Sequence, residues 1–349
     1  MHNHRLMKGN EAIVYGAILG GSTHYFGYPI TPASEIAHTA AVYYPKCGRE
    51  FLQAECEVSS VNMLYGAASA GGRAMTGTSG PGLSLMMEGI SYIASAELPC
   101  VIVDVQRTGP GLGNIWPEQT DYNCTVKGGG HGNYHAIVMA PNSAQEMCDC
   151  AYQSFEIAEK YRAPVIILSD AYIGQMMEPV SLPAVVKENP RKEWALNADA
   201  ASRDNLITSI LMNADLMAEH NARLNTKYQK MKDEVCDWQE ILCDDAEYVL
   251  VSYGISSRMC RTCVDVLRGK GIKAGLLRPK TLFPFPEVRL RELAKTAKKM
   301  IAVELSPGQM ADDVKLAVEH KVPVLVFGWM GGQVPSAEEI LERFEKEAL

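Results

Sequence analysis

Long apolar runs are missing from this chain. No stretch reaches the roughly 18 residues needed to span a bilayer. The N-terminal MHNHRLMKGNEA has no apolar core of the kind a signal peptide carries. Together these absences predict a cytoplasmic protein with no membrane association. Positive charge is also scarce, with 33 Lys and Arg against 41 Asp and Glu, a net charge of −8 and a pI near 5.6. That balance disfavours a nucleic-acid-binding face. Ten cysteines are scattered through apolar or helical contexts, without the density of a secreted disulfide scaffold. The C-x2-C-x2-C-x3-C-P run of a bacterial ferredoxin cluster does not occur. Cys260-Arg-Thr-Cys263 falls inside a predicted helix and has no second pair at ligand spacing, which argues against zinc or redox chemistry there. No metal ligand is expected on this chain.

What remains is an ordinary globular composition, 47% hydrophobic and 21% charged over 349 residues, enough for about two domains of roughly 150 residues each. The stretch Phe51 to Pro99 organises the first of them. Ala54 to Gly71 carries Val58, Val61, Leu64, Tyr65 and Ala68 at helical period. Glu57 lies in its first turn, where a carboxylate meets the positive end of the helix dipole. Ala67 through Gly72 are small enough to let another backbone come close. A short strand, Arg73 to Thr78, then runs into Ser79-Gly80-Pro81-Gly82, and a second small-residue helix precedes the apolar strand Cys100 to Val105. Taken alone, Glu57 reads as a helix N-terminal carboxylate.

Strand and helix alternate along the rest of this unit. Asn10 is placed to cap a helix Glu11–Leu19, and His24–Tyr28 reads as a strand. The turn Pro29-Ile30-Thr31-Pro32 opens a helix Ala33–Tyr44, and Glu50–Gln53 forms a strand. Ile115 to Tyr134 is a long irregular segment, which its Trp116, Tyr122 and glycines mark as an ordered site wall. The adjacent Gly128, Gly129 and Gly130 match neither common phosphate-loop pattern, so close packing and phosphate cradling both stay open. Ala136–Ala140 and Ala163–Ser169 are strands around a helix from Ser143 to about Tyr161, with Ser143 and Glu146 spaced as a capping box. The rhythm predicts a doubly wound parallel sheet. The expected domains are 1–180, a linker with a helical segment over 181–245 (Asp204 to Gln239 polar and helical), and a smaller α/β unit over 246–349. In that last unit Tyr248–Tyr253, Lys273–Leu277, Met300–Glu304 and Val324–Phe327 read as strands around a helix Ser257–Leu267.

Five motifs carry a resemblance: Tyr28-Pro-Ile-Thr-Pro-Ala-Ser-Glu35, Glu57-x8-Gly66, Thr78-Ser-Gly-Pro-Gly82, Pro110-Gly-Leu-Gly-Asn114 and Lys127-Gly-Gly-Gly-His-Gly132. Over nearly its whole length the chain resembles the large, α-type subunit of 2-oxoacid:ferredoxin oxidoreductases, most of all their 2-ketoisovalerate (3-methyl-2-oxobutanoate) branch. Arg278-Pro, Val303-Glu304-Leu and Gly308-Gln309-Met310 extend the likeness through the second unit. The resemblance implies an α/β thiamine-diphosphate-binding fold, with a pyrimidine-binding domain followed by a smaller domain like the C-terminal domain of transketolase. By the same resemblance, Glu57 partners N1′ of the cofactor's aminopyrimidine, a relay open only to a carboxyl group held in a dry site. Thr31 places its hydroxyl beside the substrate carbonyl or carboxylate. Arg107 binds the 2-oxoacid carboxylate, which its planar fork suits. Pro29 and Ser79 join Thr31 and Glu57 in the cofactor set. Without the resemblance, Thr31 reads as a helix cap and Arg107 as a surface charge. His131 reads as a structural imidazole.

Thiamine diphosphate enzymes hold Mg²⁺ and the diphosphate with a Gly-Asp-Gly motif, and none occurs here. The resemblance therefore implies a β-type partner that supplies that half of the site. It also implies a γ-type subunit, a ferredoxin-like iron–sulfur subunit, ferredoxin as electron acceptor and coenzyme A as acyl acceptor. Two positions depart from the family pattern. Pro117-Glu118-Gln119-Thr120-Asp121 stands where P-S/T-Q-G/S-D is common, and Gly132-Asn133-Tyr134 where G-D-Y is usual. Both lie in a segment expected to touch the substrate side chain, so 2-oxoglutarate stays open as an alternative substrate. A split non-oxidative decarboxylase is disfavoured by the full second domain. A non-catalytic scaffold is disfavoured by the joint presence of Glu57, Thr31 and Arg107.

Overall fold

The computed structural model describes residues 4–349. The chain opens with β1 (His4–Lys8), α1 (Gly9–Leu19), β2 (His24–Gly27), α2 (Ser34–Lys46), β3 (Glu50–Gln53) and α3 (Glu57–Ser69). It continues through β4 (Ala74–Thr78), α4 (Gly80–Ser95), β5 (Cys100–Gln106), α5 (Tyr122–Val126), β6 (Ile137–Met139) and α6 (Ala144–Tyr161). β7 (Pro164–Asp170), α7 (Ala171–Gln175), β8 (Met177–Ser181) and the long α8 (Ala214–Glu234) follow. The remainder is β9 (Trp238–Ile241), β10 (Tyr248–Val251), α9 (Gly254–Gly269), β11 (Ala274–Pro279), β12 (Thr281–Phe283), α10 (Glu287–Leu293), β13 (Lys299–Glu304), α11 (Gln309–Ala317), β14 (Val324–Gly328) and α12 (Ala337–Glu347). Among the described residues no helix is long and apolar enough to cross a membrane.

A seven-stranded sheet in the order β12-β6-β7-β5-β4-β2-β3 forms the first layer, parallel throughout except at β12. Strands β4, β5 and β7 are buried on every residue, as expected where helices cover both faces. Helices α1 and α6 cross so closely that the Gly16 Cα faces the Cys148 carbonyl. The second sheet runs β14-β13-β10-β11-β9, parallel except for β9. The sequence thus anticipated a two-sheet α/β fold with parallel cores.

Several local expectations change. Asn10 does not cap α1; Glu11 instead accepts the Lys8 N–H at 3.0 Å, and buried Asn10 donates to the Pro32 carbonyl at 2.7 Å and to Glu35 at 3.1 Å. Its amide pins the Thr31-Pro32 turn to α1. Ser143 caps α6 as expected, accepting from the Glu146 N–H at 3.1 Å, but the Glu146 carboxylate reaches Asn142 N and Arg278 rather than completing the box. On α3, Val61, Leu64 and Ala68 are buried, whereas Val58 is 43% exposed and Tyr65 half-buried. The polar helix ends at Glu234, and Trp238–Ile241 leaves it to pair antiparallel with Leu276–Pro279. β8, which pairs with β1, ends where the expected linker begins, at Ser181. The segment Ile115–Tyr134 holds the short α5. Finally, β12 leaves the second unit to close the edge of the first sheet beside β6. Pairing across that distance in sequence leaves no local signature.

Candidate active site

Glu57 is the first residue of α3 and only 5% exposed. Extended backbone at Cys56 turns the chain from β3 into the helix and points the carboxyl inward. There it faces the turn between β4 and α4. A Cβ added to Gly82 would lie 2.4 Å from Glu57 Oε1 and 2.2 Å from Thr78 Oγ1. Only a bare Cα leaves that space open. Among the described residues no protein donor reaches the Glu57 carboxyl, and the hydroxyls of Thr78 and Ser79 are buried without partners. Buried polar groups of this kind are uncommon in native cores. Three unpaired polar groups around a glycine cradle, at the carboxyl ends of parallel strands, fit a polar ring such as an aminopyrimidine.

Arg107 follows β5. Its Nη1 donates to the Thr31 carbonyl at 2.7 Å and its Nη2 to the Leu112 carbonyl at 3.1 Å. Among the described residues it forms no ion pair. The structure therefore brings Thr31 and Arg107 together through the Thr31 backbone, and Thr31 is exposed. Two cavities flank this contact. One of about 850 Å³ holds Arg107, Gly80, Asp121 and Glu118 among its walls. The other, of about 570 Å³, is walled by Thr31, Ile115, Trp116, Tyr172 and Met176, with Glu35 as its one charged group. Pro29 is half-buried in the turn leading to Thr31.

Near Arg107 the structure groups residues for which sequence analysis found no role. Asp104 on β5 is fully buried, and neither carboxyl oxygen has a partner. Burial, and then the adjacent Asp121, push its carboxyl well above the usual range. Asp121, beside the Gly80 Cα, is itself pushed up to about 6, chiefly by burial. Two acids so placed titrate as a coupled pair. Gln119 accepts from Leu305 N at 2.8 Å and Ser256 Oγ at 3.1 Å, and donates to the Tyr253 carbonyl at 3.0 Å. These bonds fasten the segment after β5 to the second unit. Gln309 adds another, donating to the Thr120 carbonyl at 2.9 Å. The signal in the sequence was Pro117-Glu-Gln-Thr-Asp121, polar residues in a long loop, but nothing local said where they point.

His131 is exposed, its ring edge-on to Tyr92 at 5.7 Å and its carbonyl accepting from Ser91 at 2.6 Å. The triple glycine packs on α4, where a Cβ at Gly130 would meet the Met87 carbonyl at 2.4 Å. That is close packing, the first of its two readings. Cys260 and Cys263 are buried in α9, and burial pushes the Cys263 thiol up to about 12.

These features fit a thiamine-diphosphate-binding α/β subunit, and it is sequence comparison that shows the class. Residues 15–239 match the model of the pyruvate flavodoxin/ferredoxin oxidoreductase family, thiamine diphosphate-binding, and residues 246–340 match that of pyruvate:ferredoxin oxidoreductase core domain II. The chain belongs to this oxidoreductase family. It is 53% identical over 345 residues to the ketoisovalerate oxidoreductase subunit VorB of Methanothermobacter marburgensis, covering 99% of this chain and 98% of that one. It is 38% identical to the 2-oxoglutarate synthase subunit KorA of Archaeoglobus fulgidus, over 89% of this chain and 90% of that one. Both relatives are subunits of larger enzymes. A solved 2-oxoglutarate:ferredoxin oxidoreductase from Magnetococcus marinus, with 2-oxoglutarate, coenzyme A and succinyl-CoA bound, superposes with a TM-score of 0.90 at 27% identity. The match covers 99% of this chain and 66% of that one.

Proposed function

We propose that this chain is the pyrimidine-binding subunit of a 2-ketoisovalerate:ferredoxin oxidoreductase, which converts the 2-oxoacid and coenzyme A to acyl-CoA and CO₂ while reducing ferredoxin. The observation that carries the reading is the buried, unpaired Glu57 carboxyl against the Gly82 cradle. When bound, thiamine diphosphate supplies the carbon nucleophile and the electron sink for decarboxylation. Glu57 would meet the ring nitrogen N1′, with Ser79 and the Pro29–Thr31 turn bordering the cofactor. Arg107 spends one N–H of each terminal nitrogen on a backbone carbonyl and its Nε is buried, leaving one N–H on each terminal nitrogen for the substrate carboxylate. Thr31 would offer its hydroxyl beside the reacting carbonyl.

The cavity beside Thr31 favours a branched aliphatic side chain. Its walls are largely apolar, and the nearest cation, Lys8, is already bonded to the wall residues Glu35 and Gln175 at 2.9 Å each, so a second carboxylate, as in 2-oxoglutarate, would find no free counter-ion there. Lacking a Gly-Asp-Gly motif, the chain would rely on a β-type partner for Mg²⁺ and the diphosphate. A γ-type subunit and an iron–sulfur subunit would carry electrons to ferredoxin, all in the cytoplasm. We place the domain limits at 1–180, 181–245 and 246–349, with β12 reaching back across them.

The test is reconstitution with the neighbouring subunits and viologen-linked oxidation of 2-ketoisovalerate, 2-oxoglutarate and pyruvate. Glu57→Gln is expected to lower kcat by about 10²-fold or more while the complex still assembles. A variant within threefold of wild type would end the proposal. Equal or higher kcat/KM with 2-oxoglutarate would overturn the substrate assignment.

A further inference from the structure

Glu118 lies in the segment between β5 and α5 and is 3% exposed. A buried carboxylate is costly unless its lone pairs are met, and here both oxygens are used. Oε2 accepts the Gly109 N–H at 3.0 Å and the Thr120 hydroxyl at 3.3 Å, and Oε1 accepts the Gly331 N–H at 2.7 Å. Two of these donors, Gly109 and Thr120, belong to the same β5–α5 segment as Glu118, and the third, Gly331, belongs to the second unit. Gly109 opens the loop whose Leu112 carbonyl holds Arg107 Nη2. Gly331 follows β14 of the second unit, and its neighbour Gly332 touches Trp116, where a Cβ would come within 2.4 Å of the Trp116 Cβ. Glu118 also lines the same cavity as Arg107. The loop that orients the guanidinium is thus tied through one side chain to the turn that follows β14. A neutral side chain of the same shape cannot replace it. Glutamine offers one acceptor oxygen for two backbone N–H groups, and its amide nitrogen would face the second donor.

We propose that Glu118 is a positioning residue that holds Arg107 in place for the 2-oxoacid carboxylate by fastening the Gly109–Leu112 loop to Gly331. The inference rests on the reading of Arg107 as the carboxylate-binding residue, and the variants below separate the two.

The experiment uses the reconstituted complex and steady-state kinetics with 2-ketoisovalerate, coenzyme A and ferredoxin. Glu118→Gln is expected to raise KM for the 2-oxoacid about tenfold or more, since a charge-assisted bond is broken and a buried N–H left unmet, with kcat within about threefold. KM for coenzyme A and for ferredoxin should not move, which separates positioning from general loosening. Glu118→Asp keeps both oxygens and should recover most of the 2-oxoacid affinity. In an Arg107→Met background, Glu118→Gln should add less than about a twofold effect, because both act through one contact. A 2-oxoacid KM equal to wild type in Glu118→Gln, a fall in kcat alone, or an undiminished effect in the Arg107→Met background would each overturn the proposal. If Arg107→Met itself leaves KM unchanged, the carboxylate-binding reading fails. If Arg107→Met raises KM and Glu118→Gln does not, only the role of Glu118 fails. Should Glu118→Gln not assemble, Glu118→Asp, whose carboxyl is one methylene short, carries the same comparison. An intermediate rise in KM supports the proposal and an unchanged KM overturns it.

Discussion

Replacing Gly82 with alanine tests the central geometry with a single methyl group. The added Cβ would fall 2.4 Å from Glu57 Oε1 and 2.9 Å from Glu57 Cδ, with Thr78 Oγ1 at 2.2 Å on its other side. Ordinary contact begins near 3.4 Å, so the Glu57 oxygen must retreat by roughly 1 Å, the difference between 3.4 and 2.4 Å. Thr78 lies on a fully buried strand and has little room to give. The strain should cost about 1–3 kcal/mol, as overpacked cores do. The effect on chemistry should be larger, because a misplacement of about 1 Å at a catalytic group can lower the rate about 10²-fold. We therefore expect Gly82→Ala in the reconstituted complex to show a Tm lowered by a few degrees and a kcat lowered on the order of a hundredfold. Gly66→Ala serves as the contrast. Gly66 is in the interior of α3 with nothing within 4 Å of a Cβ, so alanine there should raise chain stability by about 0.5–1 kcal/mol. A Gly82→Ala complex retaining activity within threefold of wild type would refute the reasoning, since the Glu57 carboxyl would then not need the position it has.

Two further outcomes follow from other contacts. At the crossing of α1 and α6, a Cβ on Gly16 would meet the Cys148 carbonyl oxygen at 2.1 Å, backbone against backbone with no side chain to yield. Gly16→Ala should lose about 3 kcal/mol or more by urea denaturation, and an unchanged midpoint would refute that packing. Asp104 and Asp121 make stability depend on pH. Burial raises both carboxyls above their unfolded values, Asp121 to about 6. The folded chain therefore keeps protons that the unfolded chain releases. The stability from these groups is complete below the unfolded value, about pH 4, and is lost as pH rises through the folded values. Asp104→Asn, neutral at every pH, should gain Tm relative to wild type as pH goes from about 5 to about 8. A Tm difference that stays constant over that range would refute the upward shift of the two buried carboxyls.

How much of this was legible in the sequence depended on how far apart in the chain the interacting groups lie. Apolar period and small-residue runs located β4, β5, β7 and the helices between them, because burial on one or both faces writes itself into neighbouring residues. Ser143 announced the start of α6 because a cap bonds a backbone three residues on. Glu57 could be singled out from its place before a small-residue helix and the Ser79–Gly82 turn. Asn10 misled because the same side chain that caps helices locally was recruited by the distant Pro32 carbonyl. The return of β12 to the first sheet, the Asp104–Asp121 pair and the bond of Glu118 to Gly331 had no local trace. Each joins residues whose neighbours in sequence are elsewhere in space, and a buried polar side chain looks the same in a sequence whether it faces water, a proton or a backbone amide. The sequence by itself determined which strands and helices form and which residue types are available for the chemistry. Only the tertiary structure decided which of those groups meet, because that choice is made by the packing of the two sheets and by which buried polar groups find a partner there and which do not.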